Sequence, residues 1–262
     1  MRIAQVALQL YNLRDFCRTA GELAATARRV KAIGYAAVQV SNIGPIDERE
    51  IVRICADEGL VICATHEPGS AIIDETDKVI DRLQRLGTRY TAYPHPHLPV
   101  STVEEVLALA AALDKAGRAM RKAGLVLTYH NHALELRKFD GQTMLDMIFA
   151  HTGRQYVQAE IDTYWIQAGG GDPAEWCRKL KRRIPLLHIK DYGVSSDDKA
   201  GTMMEIGSGN LNWPAIISAA DKSGCEWFIV EQDVCPGDPF ESARISFEYI
   251  KRHLAQDTAG RW

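Results

Sequence analysis

Val157-Gln158-Ala159-Glu160-Ile161-Asp162-Thr163-Tyr164-Trp165, with Gly169-Gly170-Gly171 shortly after, holds the pattern from which the rest of the chain is understood. A short apolar run, Val157 to Ile161, carries a carboxylate to its end and gives way to a loop and then a helix. A strand of a parallel barrel presents a functional group at the barrel rim in this way. Three other strand-like runs finish alike: Leu125 to Tyr129 on His130-Asn131-His132, Ile184 to Leu187 on His188, and Trp227 to Val230 on Glu231.

Outward from this passage the unit repeats. Ile3 to Leu10, Tyr35 to Val40, Leu60 to Ala64 and Thr88 to Ala92 are apolar and β-prone. Helical periodicity over Cys17 to Ile33, Asp47 to Glu58 and Asp74 to Leu86 stops each time at a glycine, Gly34, Gly59 or Gly87, as a left-handed cap requires. A further helix is expected from Ser101 to Gly124, with Ser101 and Glu104 as its capping box. Helices are expected again near 143–151, 173–183, 214–223 and 240–254. Eight alternations predict parallel strands joined by right-handed crossovers. The expected fold is α/β, a single (β/α)8 TIM barrel domain over 1–262, and 262 residues is an ordinary length for one. An open doubly wound sheet shares the alternation, but the first strand-to-helix turn lacks a G-x-G-x-x-G.

Composition narrows the partners. An apolar share of 46% and a charged share of 25% are those of a globular protein, with no run long enough to span a membrane. The net charge of -3, without a long basic run, gives no footprint for nucleic acid. The start, Met1-Arg2-Ile3-Ala4-Gln5-Val6, enters strand-like sequence directly, so a cytoplasmic protein is expected. Six scattered cysteines without C-x-x-C spacing are expected to be reduced and packed. The tail from Gln256 to Trp262 is expected to be a loose end or an oligomer contact; self-association is left open.

Function in such a barrel gathers where the strands finish. His66, His130, His132, Asp162, His188 and Glu231 lie there by this assignment, with Glu135 just beyond. The set, oxygen ligands with imidazole added, suits one divalent ion such as manganese, magnesium, cobalt or zinc. The expected ligands are Glu135, Asp162, His188 and Glu231. Glu135 is favoured for its anionic oxygen, with His130 the alternative in that place and His130 and His132 otherwise contacting substrate. Each residue also has a plain structural reading. His66 could be an ordinary loop histidine, Asp162 a helix cap, and His188 a partner for Asp191. Lys190, on the side of His188, could stabilise an oxyanion or be solvated. Tyr11 and Trp165 are candidate walls for a sugar ring, or core. Glu205-x-Gly207-Ser208-Gly209 could offer amides to a phosphate, though a plain loop is preferred.

At these residues the chain resembles the sugar phosphate isomerase/epimerase superfamily, the xylose isomerase-like TIM barrels. The motifs are Gln9-Leu10-Tyr11-x-x-Arg14, Tyr129-His130-Asn131-His132-x-x-Glu135-Leu136, Asp162-x-x-Trp165, His188-Ile189-Lys190-Asp191, Glu205-x-Gly207-x-Gly209 and Val230-Glu231-x-Asp233. The resemblance implies a Glu/Asp/His/Glu metal site carried by the fifth-strand position, Asp162, His188 and Glu231. One departure stands out: epimerases of the tagatose type have glutamate where this chain has His130. The implied activity is isomerisation or epimerisation of a sugar or keto-sugar, free or phosphorylated, through a metal-stabilised enediolate. Glu231 is then the base, and Glu135 or a histidine returns the proton. The alternative is β-elimination from a keto-sugar or 3-keto-glycoside by a dehydratase or lyase, with His130 or His132 protonating the leaving oxygen. A nuclease on the same barrel is opposed by the charge, and a metal-free binding subunit is the remaining alternative.

Overall fold

The computed structural model describes residues 1–256; the tail beyond, where the loose end or oligomer contact was placed, lies outside the described residues. Eight strands form one closed barrel: β1 (Val6–Gln9), β2 (Ala37–Val40), β3 (Val61–His66), β4 (Tyr90–Tyr93), β5 (Val126–His130), β6 (Val157–Asp162), β7 (Leu186–Ile189) and β8 (Trp227–Val230). Each pairs in parallel with the next, and β1 closes on β8 through Val6↔Phe228 to Leu8↔Val230. The outer ring is α1 (Ala20–Ile33), α2 (Glu48–Asp57), α3 (Gly69–Asp74), α4 (Thr76–Leu86), α5 (Val103–Lys122), α6 (Met144–Ala150), α7 (Thr163–Ala168), α8 (Pro173–Lys179), α9 (Trp213–Lys222) and α10 (Pro239–Tyr249). The expected TIM barrel is the observed fold. No helix among the described residues is long and apolar enough to cross a membrane.

Side-chain alternation along the strands sorts the interior. One set, Val6, Leu8, Val38, Leu127, Ile161, Leu187, Phe228 and Val230 among it, joins the large cluster shared with the helices. The other set lies inside the barrel. Its lower part is small and apolar, with Ala7, Ala37, Ala64, Leu186 and Ile229 packed together. Above it the strands turn polar at Gln9, Gln39, Glu160 and His188, each 0% exposed. The barrel is thus plugged below and polar above.

Several boundaries differ from expectation. Residues 3–5 form a 3-10 turn, so β1 begins at Val6. The helix expected over 74–86 is α4, which starts at Thr76, and an unexpected short helix, α3, precedes it with Glu75 between the two. The capping box of α5 is Thr102 with Glu105: the Thr102 hydroxyl accepts from Glu105 N at 3.2 Å and the Glu105 carboxylate accepts from Thr102 N at 3.1 Å. Ser101/Glu104 and Thr102/Glu105 fit the spacing equally, so sequence could not choose between them.

The polar stretch after β7 is an antiparallel hairpin, Asp191–Val194 with Ala200–Met204. It is held at its base by Asp191, which is fully buried. One Asp191 oxygen accepts from Gly207 N (2.8 Å), Gly209 N (3.2 Å) and the Trp213 indole (2.8 Å). The other accepts from Tyr192 N at 2.9 Å and Leu211 N at 3.4 Å. The amides considered for a phosphate therefore serve a side chain of the protein itself. Gly207 takes φ +91°, and a Cβ there would stand 2.2 Å from the Tyr249 ring, so glycine is required on both counts.

Candidate metal centre

β5 to β8 are neighbours around the barrel, and each carries a polar side chain at or beside its last residue: His130, Asp162, His188 and Glu231. In register, His130 lies beside Glu160 and Asp162 beside His188. One ligand atom each from His130, Asp162, His188 and Glu231 lies within 4.8 Å of the other three, and all four residues are buried. Ligands about 2.1 Å from a common ion stand at most about 4.2 Å apart, so small side-chain adjustments close this set on a cation. His188 Nδ1 is 3.0 Å from Glu231 Oε2 and 4.0 Å from Asp162 Oδ2.

Asp162 caps the helix that follows it and also faces the cluster. Its Oδ1 accepts from Trp165 N at 2.8 Å and caps α7. Its Oδ2 is buried without a hydrogen-bond partner, as is His130 Nδ1. A stranded carboxylate oxygen in a protein interior is costly, and a cation would relieve it. Two carboxylates match the charge of a divalent ion, and oxygen with imidazole suits manganese, magnesium, cobalt or zinc. The residues present fit such an ion.

Glu135 is not among these ligands, a correction to the expected set. β5 runs straight to His130, which takes the rim position. The chain then folds through a 3-10 turn, Leu134–Leu136, that carries Glu135 behind the strand. There its carboxylate accepts from Tyr129 OH at 2.9 Å and His132 N at 2.7 Å, and it is fully buried. His188 likewise does not pair with Asp191, because an odd separation along the strand puts the two on opposite faces. Asn131, between His130 and His132, ties the strand ends together by accepting from Asp162 N at 3.0 Å.

Above the cluster opens a cavity of about 380 Å³ lined by Tyr11, His66, His95, His132, Lys190 and Glu231 among others. Trp165 stands behind His132, ring centroids 5.2 Å apart, and beneath the Lys190 ammonium at 5.1 Å. Lys190 is buried, not solvated. Its Nζ lies 2.7 Å from Asp233, 3.3 Å from Glu231 and 3.9 Å from Asp162. Sequence reasoning did not assign Asp233 or Glu160 to the site. Both stand two residues from an assigned one, so strand alternation was the signal available.

Burial sets the electrostatics. It pushes Asp162 up to about 7, with Glu231 adding to the rise and Lys190 opposing it. Burial drives His130 down to about 4 and His132 down to about 2, leaving both rings neutral at pH 7. For Glu231 burial acts upward, but Lys190 and His188 outweigh it and hold the carboxyl well below its usual range. For His188 burial acts downward, and Glu160 and Glu231 overcome it, keeping the ring protonated. Lys190 is held cationic against burial by Glu231, Asp162 and Asp233.

The profile of the xylose isomerase-like TIM barrel family matches residues 27–253. An inosose dehydratase of Lacticaseibacillus casei is 27% identical over 168 residues, 58% of this chain and 56% of that protein. The chain thus aligns with little more than half the length of that relative. A sugar phosphate isomerase/epimerase structure from Parabacteroides distasonis superposes with TM-score 0.81 at 22% identity, over 96% of this chain and 95% of that one. A xylose isomerase-like TIM barrel protein of Mycobacterium smegmatis, solved in complex with magnesium, superposes with TM-score 0.73 at 18% identity, over 95% and 97%.

Proposed function

Because the chain belongs to the xylose isomerase-like TIM barrel family, we propose that it is a divalent-metal-dependent enzyme of a small keto-sugar or keto-polyol, and that its reaction is a β-elimination, the work of a dehydratase or lyase. His130, Asp162, His188 and Glu231 would hold the ion, which would supply Lewis-acid polarisation of a substrate carbonyl. The observation that carries the choice of elimination is the withdrawal of Glu135. It leaves Glu231 without the second basic carboxylate that two-sided proton exchange in an epimerase would use.

Glu231, ionised and facing the cavity, takes the proton from the carbon beside the carbonyl. His130 and His132 are neutral, so neither is the acid that protonates a leaving oxygen. That proton comes from Lys190 Nζ as the carbon–oxygen bond breaks and a carbon–carbon double bond forms. Glu231 Oε2, 3.3 Å from Lys190 Nζ, then returns a proton to the amine, so both groups end as they began. Tyr11, His66 and His132 line the chamber around the ring of the substrate, and Trp165 backs His132.

The names of relatives such as inosose dehydratase agree with this reading. Isomerisation is the second reading, since Glu231 alone could return its proton to the neighbouring carbon. Proton NMR in heavy water, with an inosose and a panel of keto-sugars and keto-glycosides, separates them. Elimination gives an unsaturated ketone and free water or alcohol. A deuterated isomer or epimer with no unsaturated product would overturn it.

A further inference from the structure

Glu160 has no part in the reaction above, yet it is a fully enclosed charge in the barrel. It projects from β6 on the same side as Asp162, one layer deeper, and is 0% exposed. An ionised carboxylate there is tolerable only with a full set of partners. Around it stand one amide and three imidazoles, of which the Gln39 amide and His66 are in hydrogen-bond contact with the carboxylate. Gln39 Nε2 donates to Oε1 at 2.7 Å, and His66 Nε2 lies 2.6 Å from Oε2. His188 Nε2 is 3.3 Å from Oε1, and His130 Nδ1 is 3.3 Å from Oε2.

The orientation of this network is dictated by donor and acceptor chemistry. The Tyr11 backbone N–H donates to Gln9 Oε1 at 3.4 Å, which leaves Gln9 Nε2 to donate to Gln39 Oε1 at 3.0 Å. Gln39 must then give its own N–H to Glu160 and turn Oε1 toward His188 Nε2, 2.6 Å away. His188 Nε2 thus faces two acceptors, Gln39 Oε1 and a Glu160 oxygen, and has to carry a hydrogen. Its Nδ1 is the nitrogen left facing Asp162 and Glu231.

We infer that Glu160, acting with Gln39, is a positioning residue: it fixes His188 in the Nε2–H form so that Nδ1 is the nitrogen presented to the cation. The inference rests on the reading of the His130/Asp162/His188/Glu231 cluster as a metal centre. A carboxylate or amide behind a ligating imidazole sets its tautomer and its strength as a ligand, and loss of such a partner typically costs about 10–100-fold in metal affinity.

The test uses the full chain and three proteins: wild type, Glu160→Gln and Gln39→Met, with circular dichroism to confirm folding. Manganese and zinc affinity is measured by chelator competition without substrate, and the His188 ring is followed by nitrogen-15 NMR. The expected result is one ion per chain, roughly 10–100-fold weaker binding in both variants, and a slowly exchanging His188 Nε2–H seen only in wild type. Unchanged affinity with an unchanged His188 ring in folded variants would overturn the inference. Two ions per wild-type chain with one lost in Glu160→Gln would also overturn it, since Glu160 would then be a ligand itself. If wild type binds no ion, the metal-centre reading falls by itself, and the His188 Nε2–H signal still decides what Glu160 and Gln39 do.

Discussion

Asp162 shows how much a single residue can hold and how much of that a sequence reveals. Its rim position could be read from strand length and from the loop that follows. That one oxygen caps α7 while the other is stranded among ligands is a matter of distances. The choice between His130 and Glu135 failed for the same reason: charge favoured the glutamate, while chain geometry put the histidine at the rim and gave the glutamate Tyr129 as a partner. The protonation states predict how ion binding responds to pH. Asp162 has its pKa raised from 3.8 to about 7 by burial, so below that pH it holds a proton that an ion must displace. His188 is raised well above 6.5 and surrenders its Nδ1 proton as well. Affinity should therefore rise with pH, most steeply below about 7, where Asp162 is protonated as well as His188. Calorimetry in buffers of different ionisation enthalpy should count more protons released at pH 6 than at pH 8; a pH-independent affinity would contradict this. Glu231→Gln should lower kcat by at least about a thousandfold. It removes base and ligand together, so ion content must be measured beside the rate.

Among the elements, α5 offers two tests. Thr102→Ala removes the true cap and should cost about 1 kcal/mol in urea denaturation, whereas Ser101→Ala should cost little. Gly117 sits inside the same helix, where alanine is normally preferred by about 1 kcal/mol. A Cβ there would stand 2.2 Å from the Tyr156 carbonyl oxygen, so backbone must shift to admit it. Gly117→Ala is expected to destabilise by more than the propensity it gains, read as a lower urea midpoint. The existence and order of most of these elements were legible because most have a hydrophobic period and a glycine or acidic cap; the short α3 and α7 were not foreseen. The hairpin over 191–204 was not, because its stability comes from Asp191 gathering amides from residues up to 20 positions away. Short-range pattern carries no trace of such a partner.

For the whole molecule, eight repeats made the barrel plain in the sequence, since only the strand ends needed three dimensions to interpret. Five of the six cysteines are buried and Cys235 is partly so. Burial pushes Cys17 and Cys177 up to about 12 and Cys55 up to about 11. In the native protein a thiol reagent should therefore modify Cys235 first, and all six only after denaturation. An ion at a hundred times its Kd should stabilise the fold by about 2.7 kcal/mol and raise Tm by roughly 5–10 °C, with a chelator reversing the gain. The proposed ligands all come from β5 to β8, while Tyr11, His66 and His95 in the chamber wall follow or end β1, β3 and β4. Anchorage of the ion is thus assigned to the back half of the polypeptide, whereas the front half supplies part of the chamber wall and none of the ligands. Evolution, or an engineer splicing the front half of a cousin onto this back half, could retune what enters while leaving the inorganic machinery untouched.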